Sequence, residues 1–310
     1  MAGFSLPDFP EIDREISHRH GLDGDVFSPL PEVGIFNRIY PLGEGLLLRV
    51  PRDHPAFVAA ARKESVAVPA AREAGVRTPR MISFDDTGDL LSVPYSIYER
   101  VHGETLGLLD LDPAEAPGAW RDLGRDLSRL HSGVPEDGPT AGLELEPMPD
   151  PRPWPDEISA EGYFTSTEAR WFSEWLDRLA PAALATVHRR FLHGDSQATN
   201  VMVGSETLEY LAVLDWGGSG WGDPAWDFAG VPLRVVPFML EGYREVAPLS
   251  GDETAEARII LWRHLQLSLY LLRRDPQPER SWAERPLGML LDVMRFLLHD
   301  PGEKWSRWTP

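Results

Sequence analysis

The sequence predicts an α+β fold, with a small strand-rich N-terminal part followed by a larger, mainly helical one. Three observations predict it. Strand signals, with one helical segment among them, gather between residues 35 and 101. Helical spacing takes over after residue 105, and the later strands are two short runs, Val201–Val203 and Leu211–Leu214, around a polar turn. The expected division is 1–98, a hinge at 99–105, and 106–310.

Each element has a local reason. Ile35, Phe36, Ile39 and Tyr40 precede a Pro41–Gly45 turn, and Leu46 to Val50 make a buried run, so residues 29–50 read as a hairpin. Residues 55–74 follow as a helix, with proline at its start, many alanines and Gly75 as its stop, and Pro69 is expected to kink or interrupt it. Strands are expected at 80–84, 89–93 and 95–101. Beyond the hinge, Trp120, Leu123, Leu127 and Leu130 recur at helical spacing, in a helix ending near His131. Seven prolines between 135 and 155 preclude a long helix there. Residues 159–180, 252–273 and 281–299 again read as helices, with Trp171 and Trp175 one turn apart in the first.

Composition narrows the partners. The 310 residues carry 30 Lys and Arg against 49 Asp and Glu, a net charge of −19, which disfavours nucleic acid and anionic membrane surfaces alike. No cysteine is present, so disulfides, thiolate metal sites and cysteine nucleophiles are excluded. The opening MAGFSLPDFPEIDRE has neither a basic nor an apolar signal region, and no stretch is apolar enough to span a membrane, so a cytoplasmic protein is expected. Lys63 and Lys304 are the two lysines among 30 basic residues.

The chemically informative stretch is FLHGDSQATNVMVG (191–204) followed by LAVLDWGGSGWGDPAWDFAG (211–230). An Asp and an Asn lie five residues apart in a loop, and a second Asp follows a short apolar strand fifteen residues after the Asn. Phosphoryl transfer uses such a set: one carboxylate receives a hydroxyl proton, while an amide oxygen and another carboxylate hold the magnesium that bridges nucleotide phosphates. HGDSQATN resembles the HGDxxxxN signature of the aminoglycoside phosphotransferase and choline kinase-like superfamily, and LDWGGSGWGDPAWDFA resembles its downstream IDWxxxxxGDPxxDLA segment. By element order the resemblance runs from about residue 30 to about residue 300. It implies a two-lobed protein kinase-like fold, with a small, mainly antiparallel N-lobe carrying one helix and a larger helical C-lobe.

The resemblance also implies roles. Asp195 would be the catalytic carboxylate, with Asn200 and Asp215 as magnesium ligands. His193 would be a hydrogen-bonded structural residue, and Asp223 and Asp227 would brace the catalytic loop. Asp223, standing before Pro224, also reads as a helix cap, and Trp216, Trp221 and Trp226 read more readily as packing than as substrate stackers. On the nucleotide side, kinase-like folds place a cation on a strand of the small lobe, held by a glutamate from the next helix. The matching position in LLLRV is Arg49. Its expected partner comes from periodicity: Phe57, Ala61, Glu64, Val68 and Ala71 share one helical face, so Glu64 either pairs with a nearby cation such as Arg49 or lies at the edge of the stripe and reaches solvent. Gly34, in the hairpin Glu32–Tyr40, would cover the phosphates, and Tyr98 to Val101, Glu99 and Val101 among them, would form the hinge that touches the nucleotide base.

The expected activity is a magnesium-dependent transfer of phosphate from ATP or GTP to a hydroxyl of an antibiotic-like acceptor, namely an aminoglycoside, macrolide or nucleoside antibiotic. A choline, sugar or homoserine kinase, or a non-catalytic nucleotide-binding module, is the alternative. Asp156, Glu157, Glu161, Asp252 and Glu253 would suit a cationic acceptor, or are simply solvated helix starts.

Overall fold

The computed structural model describes residues 15, 16, 18, 19, 36–185, 188–272, 286–299 and 302–310. Gly34 and the first residues of the expected phosphate-covering hairpin lie outside them.

Four antiparallel strands, β1 (Asn37–Leu42), β2 (Leu46–Pro51), β3 (Met81–Asp85) and β4 (Tyr95–Glu99), form the N-terminal sheet in the order β1-β2-β4-β3. Leu48 and Val50 of β2 are buried with Tyr40, Leu42, Tyr95 and Ile97 in one apolar cluster. Alternation along the strand turns the intervening Arg49 to the opposite face. Helix α1 (Pro55–Glu73) provides its partner there. The helix opens with His54 as N-cap and proline in its first turn, and Gly75 at φ +87° follows its end. Pro69 does not interrupt it. That residue is exposed, so the bond it cannot donate to the Ser65 carbonyl is lost on the side where water replaces it.

The strand expected at 89–93 is absent. Asp85 accepts hydrogen bonds from the Thr87 N–H (3.0 Å) and hydroxyl (2.7 Å), closing a turn just beyond β3. Leu91 and Val93 then reach the core from a connection that is not laddered. The alternation is real, but it serves burial rather than pairing. The strand expected at 95–101 stops at Glu99.

The larger part is organised around helix α2 (Pro117–Gly133), whose Trp120, Leu123, Leu127 and Leu130 are buried as their spacing requires. The expected 159–180 helix is two helices, α3 (Trp154–Ala160) and α4 (Ser166–Ala183). Gly162 at φ +88° breaks the run, and a reciprocal Thr165–Glu168 capping box restarts it. Helix α5 (Val236–Val246) packs along α2 at very short range: a Cβ added at Gly124 would lie 1.9 Å from the Met239 carbonyl oxygen, and one at Gly242 would lie 1.9 Å from that of Arg121. The expected 252–273 helix comprises a 3-10 turn at Asp252–Thr254, a π-helix at Ala257–His264 and α6 (Leu265–Leu272). Helices α7 (Pro286–Leu298) and α8 (Glu303–Ser306) follow. Among the described residues no helix is long and apolar enough to cross a membrane.

Five short strands sit between these helices and position the site. β5 (Glu104–Thr105), β7 (Val201–Val203) and β8 (Tyr210–Val213) form one ladder, and β6 (Arg190–Leu192) pairs with β9 (Gly220–Gly222) in another. The loop 193–200 runs from β6 to β7, and the turn 214–219 runs from β8 to β9. Two ladders therefore clamp the two segments side by side, with Leu192 opposite Gly220 and Val201 opposite Val213.

Candidate active site

The clamp brings the loop and the turn into backbone contact. Gly194 has φ +81°, and a Cβ there would lie 2.1 Å from the Gly218 carbonyl oxygen, so the position requires glycine on two independent grounds. The Leu214 N–H donates to the Asn200 carbonyl (2.8 Å), fixing the approach to Asp215. Asp215 itself is left-handed (φ 66°, ψ 76°), a conformation costly for a non-glycine residue and held here by its surroundings.

Within this frame, Asp195 Oδ2 accepts from Asn200 Nδ2 (3.1 Å) and Gln197 Nε2 (3.2 Å), while Asn200 Nδ2 also donates to the Asp195 carbonyl (2.8 Å). Burial and the nearby Asp215 charge push the Asp195 carboxyl up to about 7, against the pull of those amides. The Asn200 side chain is thus committed through its nitrogen, leaving its oxygen as the atom able to face a cation. Asp215 responds in the opposite direction. Burial would raise it, but Arg49 and a hydrogen bond with Glu64 hold it below its ordinary value.

Arg49 joins the two lobes. Its Nη1 donates to Glu64 Oε2 (2.5 Å) and its Nη2 to Asp215 Oδ1 (2.9 Å). The Tyr98 hydroxyl donates to the same Glu64 oxygen (3.0 Å). Glu64 is 3% exposed. Burial, opposed by Arg49 and assisted by Asp215, raises its carboxyl to about 7. In the segment expected to be the hinge, the Glu99 N–H donates to the Arg80 carbonyl (2.9 Å) and the Glu99 side chain accepts from Arg80 Nε (2.9 Å). The Arg100 N–H donates to the Gly45 carbonyl (2.9 Å), and the partly buried Val101 follows before β5 begins.

Behind the loop, the fully buried Asp227 carboxylate accepts from the His193 N–H (2.8 Å), the Gly194 N–H (2.7 Å) and His131 Nε2 (3.0 Å). His131 Nδ1 in turn accepts from the Tyr243 hydroxyl (3.0 Å). His193 faces the other way. Its Nδ1 accepts from the Asp195 N–H (3.2 Å), which places the ring proton on Nε2, where it donates to the Leu214 carbonyl (2.9 Å). Burial lowers the affinity of this ring for a second proton. It is a neutral strut between loop and turn.

Asp223 corrects an expectation. It caps the 3-10 turn Pro224–Phe228 through the Ala225 N–H (3.0 Å), and its oxygens go to Arg258 (3.0 Å) and Arg263 (3.1 Å), not to the catalytic loop. Its cap geometry turns the carboxylate toward the π-helix, so Asp227 performs the bracing alone of the two. The acids expected to meet a cationic acceptor divide: Asp156, Glu157 and Glu161 are exposed around α3, whereas Asp252 pairs with Arg244 (2.9 Å). Sequence reasoning passed over Tyr98 as a Glu64 partner, His131 and Tyr243 as supports of Asp227, and the two arginines on Asp223. His131 carried a usable signal: it lies one turn after Leu127 on the apolar face of α2, where a polar ring needs partners.

Residues 32–266 match the phosphotransferase enzyme family, APH. The chain belongs to this family. Its fold is also that of solved family structures. The GDP complex of aminoglycoside 2'-phosphotransferase-IIIa is similar at a TM-score of 0.64 and 14% identity, covering 93% of this chain and 99% of that one. Macrolide 2'-phosphotransferase MphH from Brachybacterium faecium gives 0.58 and 22%, over 96% and 99%. A choline/ethanolamine kinase family protein from Mesorhizobium loti gives 0.60 and 17%, over 96% and 97%. A search of curated proteins found no match. As a phosphotransferase-family chain, it has a two-lobed, kinase-like architecture, and its family chemistry is phosphoryl transfer.

Proposed function

We propose that this phosphotransferase moves the γ-phosphoryl group of ATP or GTP to a hydroxyl of a small antibiotic-like acceptor, in antibiotic resistance or biosynthesis. One observation carries the reading: the two ladders hold Asp195, Asn200 and Asp215 on adjacent segments, and Arg49 ties Asp215 to Glu64 from the opposite lobe. The solved relatives support the substrate classes, since one of them holds GDP and two are named for aminoglycoside and macrolide acceptors.

In this reading the acceptor oxygen attacks the γ-phosphorus in line, the bond to the β–γ bridging oxygen breaks, and the nucleoside diphosphate leaves. Asp195 orients the hydroxyl and receives its proton. The Asn200 oxygen and the one-third-exposed Asp215 carboxylate (34%) make a hard-oxygen pair of the kind Mg²⁺ takes alongside phosphate and water. Mg²⁺ held there would neutralise charge on the phosphate oxygens. Arg49, already charged and positioned by Glu64, would offer a further cation to the nucleotide. The hinge residues Glu99 and Val101 would meet the base.

The test is product mass after incubation with ATP or GTP and a panel of aminoglycosides, macrolides, nucleoside antibiotics and metabolites, scored for addition of one phosphoryl group. Asp195→Asn should lower turnover by about 10²–10⁴ while nucleotide binding persists. Near wild-type transfer by that variant would overturn the proposed role.

A further inference from the structure

Arg49 has a third partner, on the neighbouring strand. In the β1–β2 ladder Ile39 stands opposite Arg49, and Asn37 stands opposite Pro51. Asn37 is therefore the diagonal neighbour of Arg49, on the face turned away from the apolar cluster of Tyr40, Leu42, Leu48 and Val50. Two guanidinium N–H groups point at its side-chain amide. Only an oxygen can accept them, so Oδ1 faces Arg49, taking Nε at 3.0 Å and Nη2 at 2.7 Å, and the amide NH₂ turns to acceptors on its other side. The residue is partly buried at the start of β1, within the hairpin expected to cover the phosphates.

A guanidinium has five donors, and their use here is specific. Nε and one N–H of Nη2 go to Asn37, the other N–H of Nη2 goes to Asp215, and one N–H of Nη1 goes to Glu64. One N–H remains, on Nη1. Of the four bonds, only one involves Asp215, so Asn37 and Glu64 fix the plane of the cation without help from the residue assigned to the metal. The chemistry of the partners matters as much as their number. Glu64 and Asp215 already set two carboxylates against one guanidinium, and Asn37 adds an acceptor without adding charge. A lysine could not use that acceptor in the same way. The atom at its Nε position is a methylene, and its ammonium is a point charge rather than a planar fork.

We infer that Asn37 is a positioning residue for the nucleotide site: acting through Arg49, it tethers the guanidinium in an orientation that leaves donors for phosphate, and it makes position 49 specific for arginine. This rests on the phosphotransferase reading above and deepens it on the nucleotide side. When Asp215 turns from Arg49 to another partner, Nη1 and Nη2 each have one N–H to donate to a phosphate oxygen. Asn37 and Glu64 keep the group from following Asp215. Because Asn37 is neutral, the tethered cation keeps its attraction for the anion.

The experiment is a double-mutant cycle on nucleotide affinity. Calorimetry with Mg²⁺ and whichever of ATP and GTP the wild-type protein binds more tightly is run on wild type, Asn37→Ala, Asn37→Asp, Arg49→Lys and the Asn37→Ala/Arg49→Lys pair. Thermal unfolding of the nucleotide-free proteins is measured alongside. Asn37→Ala should weaken binding by about 5- to 20-fold, as expected for losing hydrogen bonds to a charged group. Arg49→Lys should weaken it by about 5-fold or more although the charge is kept. In the lysine background the alanine change should add less than about 2-fold, because the bonds it removes are already gone. Asn37→Asp restores an acceptor but cancels charge, so it should unfold at a higher temperature than Asn37→Ala and yet bind nucleotide no more tightly. A residue that only stabilised β1 would give the same loss in both backgrounds, and its aspartate variant would recover binding together with stability. Additive losses, an Asn37→Ala or Arg49→Lys affinity within about 2-fold of wild type, or wild-type affinity in Asn37→Asp would overturn the tether. Arg49→Lys leaves β1 intact, so the arginine requirement is tested even where a change at position 37 impairs folding. Wild-type protein that binds neither ATP nor GTP would overturn the phosphotransferase reading and the tether with it, whereas wild-type binding with additive losses removes the tether alone.

Discussion

The buried carboxylate of Asp227 offers the sharpest test of how the loop is held. Its Oδ2 takes two donors, the His193 N–H and His131 Nε2, and its Oδ1 takes one, the Gly194 N–H. Asp227→Asn preserves the shape but must turn an NH₂ toward one set of donors. The cheaper orientation places that NH₂ at the Oδ1 position, so a single buried N–H, that of Gly194, loses its acceptor. Leaving one such donor unmade costs about 1–3 kcal/mol, and the two remaining bonds weaken because they are no longer charge-assisted. A total of roughly 2–4 kcal/mol follows for the amide. Asp227→Ala strips all three donors at once and leaves a cavity, so roughly 4–6 kcal/mol is expected. Urea unfolding followed by tryptophan fluorescence reads both values. The order matters most: the amide must fall between wild type and alanine, and kcat must fall with it because the Gly194 N–H immediately precedes Asp195. An Asn variant within 0.5 kcal/mol of wild type (about a factor of two in the unfolding constant), or an alanine variant milder than it, would refute the assignment of Asp227 as the anchor.

Three further outcomes follow from the same geometry. Arg49→Gln leaves Glu64 and Asp215 without their cation and should cost about 3 kcal/mol in urea unfolding, with weaker nucleotide binding by calorimetry; Glu64→Gln should be milder, since a carboxyl raised to about 7 is already partly neutral at pH 7. Gly124→Ala should destabilise by 3 kcal/mol or more, roughly, because its Cβ would meet the Met239 carbonyl at 1.9 Å, whereas the exposed Gly118→Ala, early in the same helix with nothing within 4 Å of a Cβ, should be neutral or slightly stabilising in thermal unfolding. Burial lowers His264 from 6.5 to about 4, against the Phe228 carbonyl that favours its protonated form; the unfolded chain therefore binds the proton first, and stability is present above pH 6.5 and lost as pH falls toward 4. His264→Gln should flatten that acid slope by about 2–3 kcal/mol in urea titrations at several pH values, and an unchanged slope would remove His264 from the account.

How much of this was legible in the sequence depends on whether the cause was local. A carboxylate at position 64 on an otherwise apolar helical face demands a cation, and alternation in Leu46–Val50 turns Arg49 away from the core strip toward that helix; the two stand 2.5 Å apart. The loop and turn motifs are written in consecutive residues, so their approach could be read, although Gly194 and Gly218 explain it only once their backbones are seen to touch. Helix α5 was not read at all. VPFMLEGYREV holds a proline and a glycine that locally signal a break, yet Pro237 sits in the first turn and Gly242 is where α5 meets α2. The strand expected at 89–93 failed for the converse reason, since Asp85 uses its side chain to close a turn where the pattern alone asked for a ladder. The π-winding was the least legible feature. Arg258 and Arg263 lie on different faces of any α-helix, and only a distant carboxylate, Asp223, gives them a reason to share one. That dependence explains why this cluster emerges only from tertiary structure: the Trp226 indole is tied to the Gly194 carbonyl, the two guanidiniums to an acid thirty-five and forty residues away, and neither constraint has a local period.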